Sequence, residues 1–366
     1  MQILIVVFFI ASGTQVLYLI AFLTALLRQR AEHKSIAAPV SVLVCAHDEE
    51  HHLKELVPVL LSQDHPEFEV LIVNDRSNDG TYDFLLEETK KDPRLRMVHV
   101  DQVPDHINGK KFGITLGIKA ASYEWILFTD ADCRPATNRW LTEMSSAFDS
   151  QAQFVLGFSP YFKSKGLLNL FIRFETFLTA IQYLTLAMLN SPYMGVGRNL
   201  AYRKSLFLEK KGFNHILGVT GGDDDLFVNQ HAHNGNTRVQ FTPGSHTFSF
   251  PEKTWKSFFF QKVRHLSVGK RYRLKHRLLL GAFVLSWIIT WFAGVSLLII
   301  DPYFIWVPAF LVTRLFVLLV LIGMMARQTA VAFELWAVPF LDFIYSIYYI
   351  STGLAALVTK KIRWRN

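Results

Sequence analysis

The apolar positions of this chain fall into two kinds of run. Residues 2–27 carry no charge and are almost wholly apolar, and three more long apolar stretches occupy 278–300, 303–325 and 331–358. Between them the runs are short: 39–46, 68–74, 95–100 and 124–129, each rich in Val, Ile, Leu or Phe. A segment with apolar residues at helical spacing follows each short run, as at Leu53, Leu56, Val57, Leu60 and Leu61. The pattern predicts a helix carrying Leu53 to Leu61 and others over 81–91, 109–121 and 137–148, alternating with the four strands. Strands alternating with helices of this length predict an α/β domain built on a mostly parallel sheet with helices on both faces. Such sheets bind ligands at the carboxyl ends of their strands.

Each long run suits a membrane, since about 20 apolar residues cross one. Arg28, Arg30 and Lys34 follow the first run directly, and Met1-Gln2 carries no basic side chain. That order predicts an uncleaved anchor over 1–28 with the chain after Arg28 in the cytoplasm. Residues 278–300 and 303–325 predict two further spans, joined by Asp301-Pro302, with Arg314 inside the second. The stretch 331–358 is interrupted by Glu334, Pro339 and Asp342. Four full spans would place the basic tail, 359–366, outside, against the charge rule, so a helix broken at Pro339 is expected. Arg314 and Asp342 either pair with each other or serve a function in the membrane.

The segment 254–277 mixes Trp255, Phe258, Phe259, Phe260 and Tyr272 with Lys262, Arg264, Lys270, Arg271, Arg273, Lys275 and Arg277. It predicts one amphipathic helix on an anionic phospholipid surface, leading into the C-terminal membrane region over 278–358. The apolar stretch 166–190 is either a second interfacial helix, which is the favoured reading, or a buried core helix. The α/β domain then spans 35–253. Composition agrees with a partly lipid-embedded protein: of 366 residues, 51% are hydrophobic and only 19% charged. The net charge of +8 gathers beside the apolar stretches, which points to lipid headgroups and not to nucleic acid. Two cysteines, Cys45 and Cys133, cannot make a disulfide framework and suit a reduced compartment.

Acidic clusters stand where the predicted strands end. Asp48-Glu49 follows the first, Asp75 the second, and Asp130 and Asp132 the fourth. Carboxylates two residues apart in extended chain point to one side and can share a divalent cation, Mg²⁺ or Mn²⁺. The alternative is a solvated turn with an Asp cap. Asp75, Ser77, Asp79 and Gly80 fit either a turn or a nucleotide contact. Gly109-Lys110-Lys111 opens a helix whose N–H groups and lysine favour a diphosphate, or merely starts a solvated helix. Gly221-Gly222-Asp223-Asp224-Asp225 crowds three carboxylates at a helix start, as caps or with one of them serving as a general base.

Together these residues resemble the membrane-bound family 2 glycosyltransferases, in which a GT-A (Rossmann-like) nucleotide-sugar domain is flanked by spanning helices. Cellulose, chitin and hyaluronan synthases and bacterial lipid glycosyltransferases belong to that group. The resemblance runs from about 39 to 277. Ala46-His47-Asp48-Glu49 is similar to the family's opening Ala-Arg-Asn-Glu, and Asn74-Asp75-Arg76-Ser77-Asn78-Asp79-Gly80-Thr81 to its aspartate-rich turn. Gly109-Lys110, Asp130-Ala131-Asp132 and Asp223-Asp224 match three further motifs. The resemblance implies nucleotide-sugar contacts at Glu49, Asp75, Lys110 and Asp130, and a metal on Asp130 and Asp132. It implies Asp224 as general base beside Asp223, with Asp225 a competitor because the register of three aspartates is ambiguous. Gln261-Lys262-Val263-Arg264-His265 resembles the family's Q-x-x-R-W, keeping Gln261 and Arg264 and placing His265 where the Trp belongs. That motif implies an acceptor and diphosphate site, with Arg264 assisting catalysis. The altered last residue argues against a polymer-secreting channel.

The expectation is an inverting, non-processive enzyme of the plasma or inner membrane. It would move a sugar from a nucleotide-sugar, in the first instance a UDP-sugar, to a membrane lipid or lipid-linked acceptor. The alternatives are a processive polysaccharide synthase and a membrane-tethered nucleotide-sugar binder without turnover. Transport, suggested only by Arg314 and Asp342, is a weaker reading.

Overall fold

The computed structural model describes residues 1–28, 38–105, 107–301 and 304–359. Arg30, Lys34, Pro302 and the tail from Lys360 lie outside the described residues. In chain order the first elements are α1 (Gln2–Arg28), β1 (Val40–Ala46), α2 (Glu50–Leu61), β2 (Phe68–Asp75) and α3 (Thr81–Glu88). Then come β3 (Leu95–Val100), α4 (Gly109–Ala120), β4 (Trp125–Asp130), β5 (Cys133–Pro135), α5 (Trp140–Ser145) and β6 (Phe154–Gly157). Next are α6 (Leu167–Met188), β7 (Leu200–Arg203), α7 (Lys204–Glu209), α8 (Asp225–His231), β8 (Thr237–Gln240) and β9 (Thr247–Ser249). The chain ends in α9 (Trp255–Gly269), α10 (Leu274–Ile300), α11 (Trp306–Thr329) and α12 (Val338–Val358). These elements form two units: a sheet unit, and a helical unit of α1, α6 and α9–α12.

In the sheet unit seven strands lie in the order β3-β2-β1-β4-β7-β6-β8. β1 pairs in parallel with β2 and β4, and β2 with β3, while β7 runs antiparallel between β4 and β6. β8 closes the edge parallel to β6, and β5 and β9 make a small antiparallel ribbon. This is the mixed α/β sheet expected from the alternating pattern. Because β1 and β2 are buried on both sides, their sequences read as continuous apolar runs. Val40, Val42 and Val44 face a core that includes Leu53, Leu56, Val57 and Leu60 of α2. On the opposite face, α4 comes close enough that a Cβ on Gly117 would meet Leu43 and Val73. The order reverses at β1, with β2 and β3 on one side and β4 on the other, which creates a topological switch point there.

The helix expected over 137–148 is shorter, because the chain first pairs Cys133–Pro135 with β9 and turns into helix only at Trp140. Trp140 is fully buried and donates its ring N–H to Asn199 Oδ1 at 3.0 Å.

In the helical unit, four helices among the described residues are long and apolar enough to cross a membrane: Gln2–Arg28, Leu274–Ile300, Trp306–Thr329 and Leu335–Val358. Polar side chains join α1 to α10: Gln15 donates to Ser286 Oγ at 2.8 Å and to the Phe283 carbonyl at 2.6 Å. Tyr18 donates to the Leu279 carbonyl at 2.9 Å. Arg314 is fully buried, ion-pairs with Asp342, and lies against the rings of Trp287 and Trp291; Trp291 donates to the same carboxylate at 2.7 Å. The two intramembrane charges therefore satisfy each other.

Three helical expectations change. The run over 254–277 is not one helix: Thr254 caps α9, Gly269 ends it, and a turn over 270–273 precedes α10. The stretch 166–190 forms α6, buried on most of its faces. Phe171 and Phe174 pack on Tyr345, Phe177 packs on Phe333, and Arg173 pairs with Glu334. It is a core helix of its unit. Pro339 opens α12 instead of breaking it, as expected of a residue whose missing N–H has no helical partner in the first turn. The interruption lies earlier, in the non-helical residues after α11 and the 3₁₀ turn Leu335–Ala337.

Candidate active site

Parallel register brings three strand ends level at the switch point. Cys45 lies opposite Val73 on one side and Asp130 on the other, so the turns after β1, β2 and β4 open side by side. Two of these turns are tied together. Asp48 and Arg76 both take left-handed backbone (φ 56° and 54°). The Asp48 N–H donates to Ser77 Oγ at 3.0 Å, and Asp48 Oδ1 accepts from the Asn78 N–H at 2.6 Å. Asp79 accepts from the N–H groups of Glu50 and Thr81 at 3.1 and 3.0 Å. It is thus a structural cap, and although burial opposes ionisation, these bonds hold its carboxyl below the ordinary range. Asp75 is buried, and Arg76 forks onto both of its oxygens at 2.7 and 3.1 Å.

The second half of the site forms where α4 meets the loop before α8. Lys110 Nζ lies 3.2 Å from Asp130 Oδ1 and 3.5 Å from Asp223 Oδ2. Burial alone would lower its pKa, but Asp130, Asp223 and Asp224 outweigh that and hold it well above the ordinary lysine value. Lys111, fully buried, donates to the carbonyls of Val219 and Gly221 and so fixes the incoming loop. Gly221 and Gly222 follow with φ of 77° and 80°, a conformation that side-chain-bearing residues rarely adopt. This double turn presents Asp223 and Asp224 ahead of α8.

Asp224 is the N-cap of α8. It accepts from the Gly197 N–H at 2.8 Å and from the Asp225 N–H at 2.7 Å. A Cβ on Gly197 would come within 3.3 Å of Asp224 Oδ2, so the approach favours glycine. Burial, and then the neighbouring charge of Asp223, push the Asp224 pKa up. Asp223 goes the other way: burial would raise it, but Lys110 and Lys111 bring it below the ordinary value. Asp225 lies inside α8 and is buried. Lys110, Asp130, Asp223 and Asp224 line one cavity, with Cys45, Thr129, Tyr202 and apolar side chains as its remaining walls. Burial pushes the Cys45 thiol up, so it stays protonated and inert.

Asp130 is the last residue of β4, and Asp132 follows across Ala131. Burial, then repulsion from Asp130, raises the Asp132 pKa, so the two carboxylates already feel each other's charge. Among the described residues no group of three or more His, Cys, Asp or Glu side chains could hold a metal ion. Two carboxylates without a third protein ligand suit Mg²⁺ or Mn²⁺, which complete their shell with water and substrate phosphate oxygens. Glu49 is hydrogen-bonded to His52 Nδ1 at 2.6 Å; burial raises its pKa, and Asp132 and Asp130 also raise it. Gln261, Arg264 and His265 lie on α9 of the helical unit, spaced to share one helix face. Sequence reasoning passed over Gly197, Arg198 and Asn199. Asn199 donates to the carbonyls of Phe158 and Ser245 at 2.8 and 2.7 Å and so anchors the short turn that reaches Asp224. The cue was there in Gly195-Val196-Gly197-Arg198-Asn199, two closely spaced glycines followed by a polar pair between apolar runs.

A parallel-centred sheet with paired carboxylates at its switch point defines a GT-A domain. Residues 41–209 match the glycosyl transferase family 2 model. The probable glycosyltransferase YdaM of Bacillus subtilis (strain 168) is 27% identical over 241 residues, 62% of this chain and 54% of that protein. A poly-beta-1,6-N-acetyl-D-glucosamine synthase of Staphylococcus epidermidis is 32% identical over 108 residues, 29% of this chain and 24% of the synthase. The chain thus spans about half of the first relative and about a quarter of the second. Among solved structures, the mannosyltransferase PcManGT from Pyrobaculum calidifontis, in complex with GDP-Man and Mn²⁺, shares the fold. Its TM-score is 0.64 at 17% identity, covering 98% of this chain and 99% of that one.

Proposed function

We propose that this protein is a membrane-bound, inverting glycosyltransferase that moves one sugar per turnover from a nucleoside diphosphate sugar to a membrane lipid or lipid-linked acceptor. The observation that carries this reading is the buried pair Asp223 and Asp224 in one cavity with Asp130 and Lys110, Asp223 against Lys110 and Asp224 held by two backbone N–H groups. Two carboxylates whose surroundings separate their proton affinities suit different tasks. Asp223 stays ionised against Lys110. Asp224, steadied by two backbone N–H groups, takes the proton of the acceptor hydroxyl. The acceptor oxygen bonds to the anomeric carbon as the bond from that carbon to the diphosphate breaks, and one displacement inverts the configuration. Asp130 and Asp132 are the residues that would hold Mg²⁺ or Mn²⁺, which supplies neutralising charge for the leaving group. Lys110 adds a fixed positive charge beside them, and Asp75 orients the nucleotide. Arg264, Gln261 and His265 are assigned to the acceptor and diphosphate end on the motif alone. The apolar helices support a lipid acceptor and a catalytic domain on the cytoplasmic face, organised as a 1–28 anchor, a 35–253 transferase domain and a 278–358 membrane region.

The relatives' names support a donor of this class: one solved neighbour holds GDP-Man with Mn²⁺. The similarity to a polysaccharide synthase favours a second reading, processive polymer synthesis. The test is turnover by the purified full-length protein with a panel of UDP- and GDP-sugars, Mn²⁺ or Mg²⁺, and membrane lipid extract. Products are resolved by size and lipid solubility. A single-sugar glycolipid is expected, with Asp224→Asn losing about 10²- to 10⁴-fold in rate while still binding UDP or GDP. A long polymer would establish the second reading, and undiminished transfer by Asp224→Asn would remove Asp224 from the mechanism.

A further inference from the structure

Arg198 is a cation of the sheet unit that no motif identifies. It sits in the turn Gly197–Asn199, between the N–H that holds Asp224 and the asparagine that anchors the turn. Its carbonyl accepts from Thr247 Oγ1 at 2.7 Å, which fixes the backbone from the other side. Its guanidinium lies 4.4 Å above the Tyr161 ring, and one nitrogen reaches the Ser159 carbonyl at a long 3.4 Å. Among the described residues it forms no ion pair within 4.0 Å, although its charge acts on both Asp132 and Asp130. The guanidinium is half-buried, and the long contact to Ser159 leaves its fork open to an acceptor. A ring beneath it and a rigid turn behind it hold its planar fork in place, which suits bidentate contact with a phosphate.

We propose that Arg198 is a phosphate-binding residue of the cleft, taking non-bridging phosphate oxygens of a bound substrate. This rests on the glycosyl-transfer reading for the identity of the substrate, and not for the existence of the site. The phosphate has two possible sources: the diphosphate of the donor, held next to Asp130 and Asp132, or a phosphate carried by the lipid acceptor. Arg198 binds opposite charge that the aspartates of the site repel, and the turn it shares with Gly197 ties its position to that of Asp224. A phosphate on Arg198 is thereby registered against the base.

The test uses the full-length purified protein with Mn²⁺ and compares wild type, Arg198→Gln and Arg198→Lys. Calorimetry measures UDP and GDP binding, and then inorganic phosphate binding to the nucleotide-loaded protein. If the donor supplies the phosphate, Arg198→Gln weakens UDP or GDP about ten- to a hundredfold. If the acceptor supplies it, nucleotide affinity is kept and the inorganic phosphate signal of the loaded protein is lost. In either case Arg198→Lys, which keeps the charge on Tyr161 but not the fork, recovers only part of the affinity. It also carries the test should Arg198→Gln fail to fold. Unchanged binding of both probes in a folded Arg198→Lys or Arg198→Gln protein overturns the proposal. Failure of the transfer reading looks different: wild type would bind phosphate through Arg198 and turn over no nucleotide-sugar.

Discussion

Asp223 and Asp224 are neighbours in the chain with opposed proton affinities, and the opposition comes from what each one touches. Asp223 faces Lys110; Asp224 is turned to backbone N–H groups and feels Asp223 as a nearby negative charge. Activity that needs ionised Asp224 should therefore fall as pH drops, on an acid limb above the ordinary aspartate value of about 4. Removing the charge of Asp223 removes one cause of the upward shift, so in Asp223→Asn the limb moves to lower pH. A kcat/KM profile of both proteins checks this, and a limb that stays in place would mean that another group sets it. At this scale the sequence named the carboxylates but left the register of three aspartates open. Their roles depend on two glycines with positive φ, and on an N–H from Gly197, which is 27 residues away. Arg198 escaped for the same reason: its partners come from distant segments, Ser159 and Tyr161 after β6 and Thr247 in β9.

Among the elements, the four parallel strands and their helices were legible because each strand is a short apolar run and each helix buries one stripe. The antiparallel β7 was not, since Leu-Ala-Tyr-Arg is too short to show a period and owes its place to pairing with β4 and β6. α6 was misjudged because an apolar helix reads alike on lipid and in a core. Glu69 shows how the parallel strands are pinned. It is buried on β2 and accepts from Ser41 Oγ of β1 at 2.6 Å and from Arg96 of β3 at 2.6 Å. It also accepts from the N–H and hydroxyl of Ser122, at 2.5 and 2.9 Å, just before β4. Burial works against its ionisation, but these bonds win and its pKa is lowered. A lowered carboxylate stabilises the fold above the unfolded value of about 4.3, and that contribution is lost as pH falls through the folded value. Glu69→Gln should cost about 1–3 kcal/mol at neutral pH, and the gap to wild type should close in acid. Thermal melts of both proteins from pH 7 to pH 3 check the sign.

For the molecule as a whole, packing within the helical unit sets the direction in which each long helix runs. The start of α1 meets the end of α10 and the start of α11, as Phe8 packs with Leu297 and Leu311. The end of α1 meets the end of α11, where Gln328 donates to the Leu26 carbonyl at 3.0 Å. These three helices therefore run in alternating directions, which sets Arg28 at the same end of the bundle as the start of α10. α12 runs antiparallel to α10: Asp342 meets Trp291, Tyr345 meets Trp287, and at its end the carbonyls of Ala356 and Leu357 accept from Lys270 at 2.5 and 3.0 Å. α11 and α12 then run the same way, so the connection between them runs back along α11. It does so as irregular chain and a 3₁₀ turn, tolerated at depth where protein covers it. On this packing we predict that three helices cross and that Thr359 lies on the side of Arg28. That satisfies the charge rule, which four crossings would break. A C-terminal green fluorescent protein fusion in a bacterial host should fluoresce, and an alkaline phosphatase fusion at the same point should be inactive. An active phosphatase with a dark fluorescent protein would mean that α12 crosses, and that Lys270 cannot lie at its end.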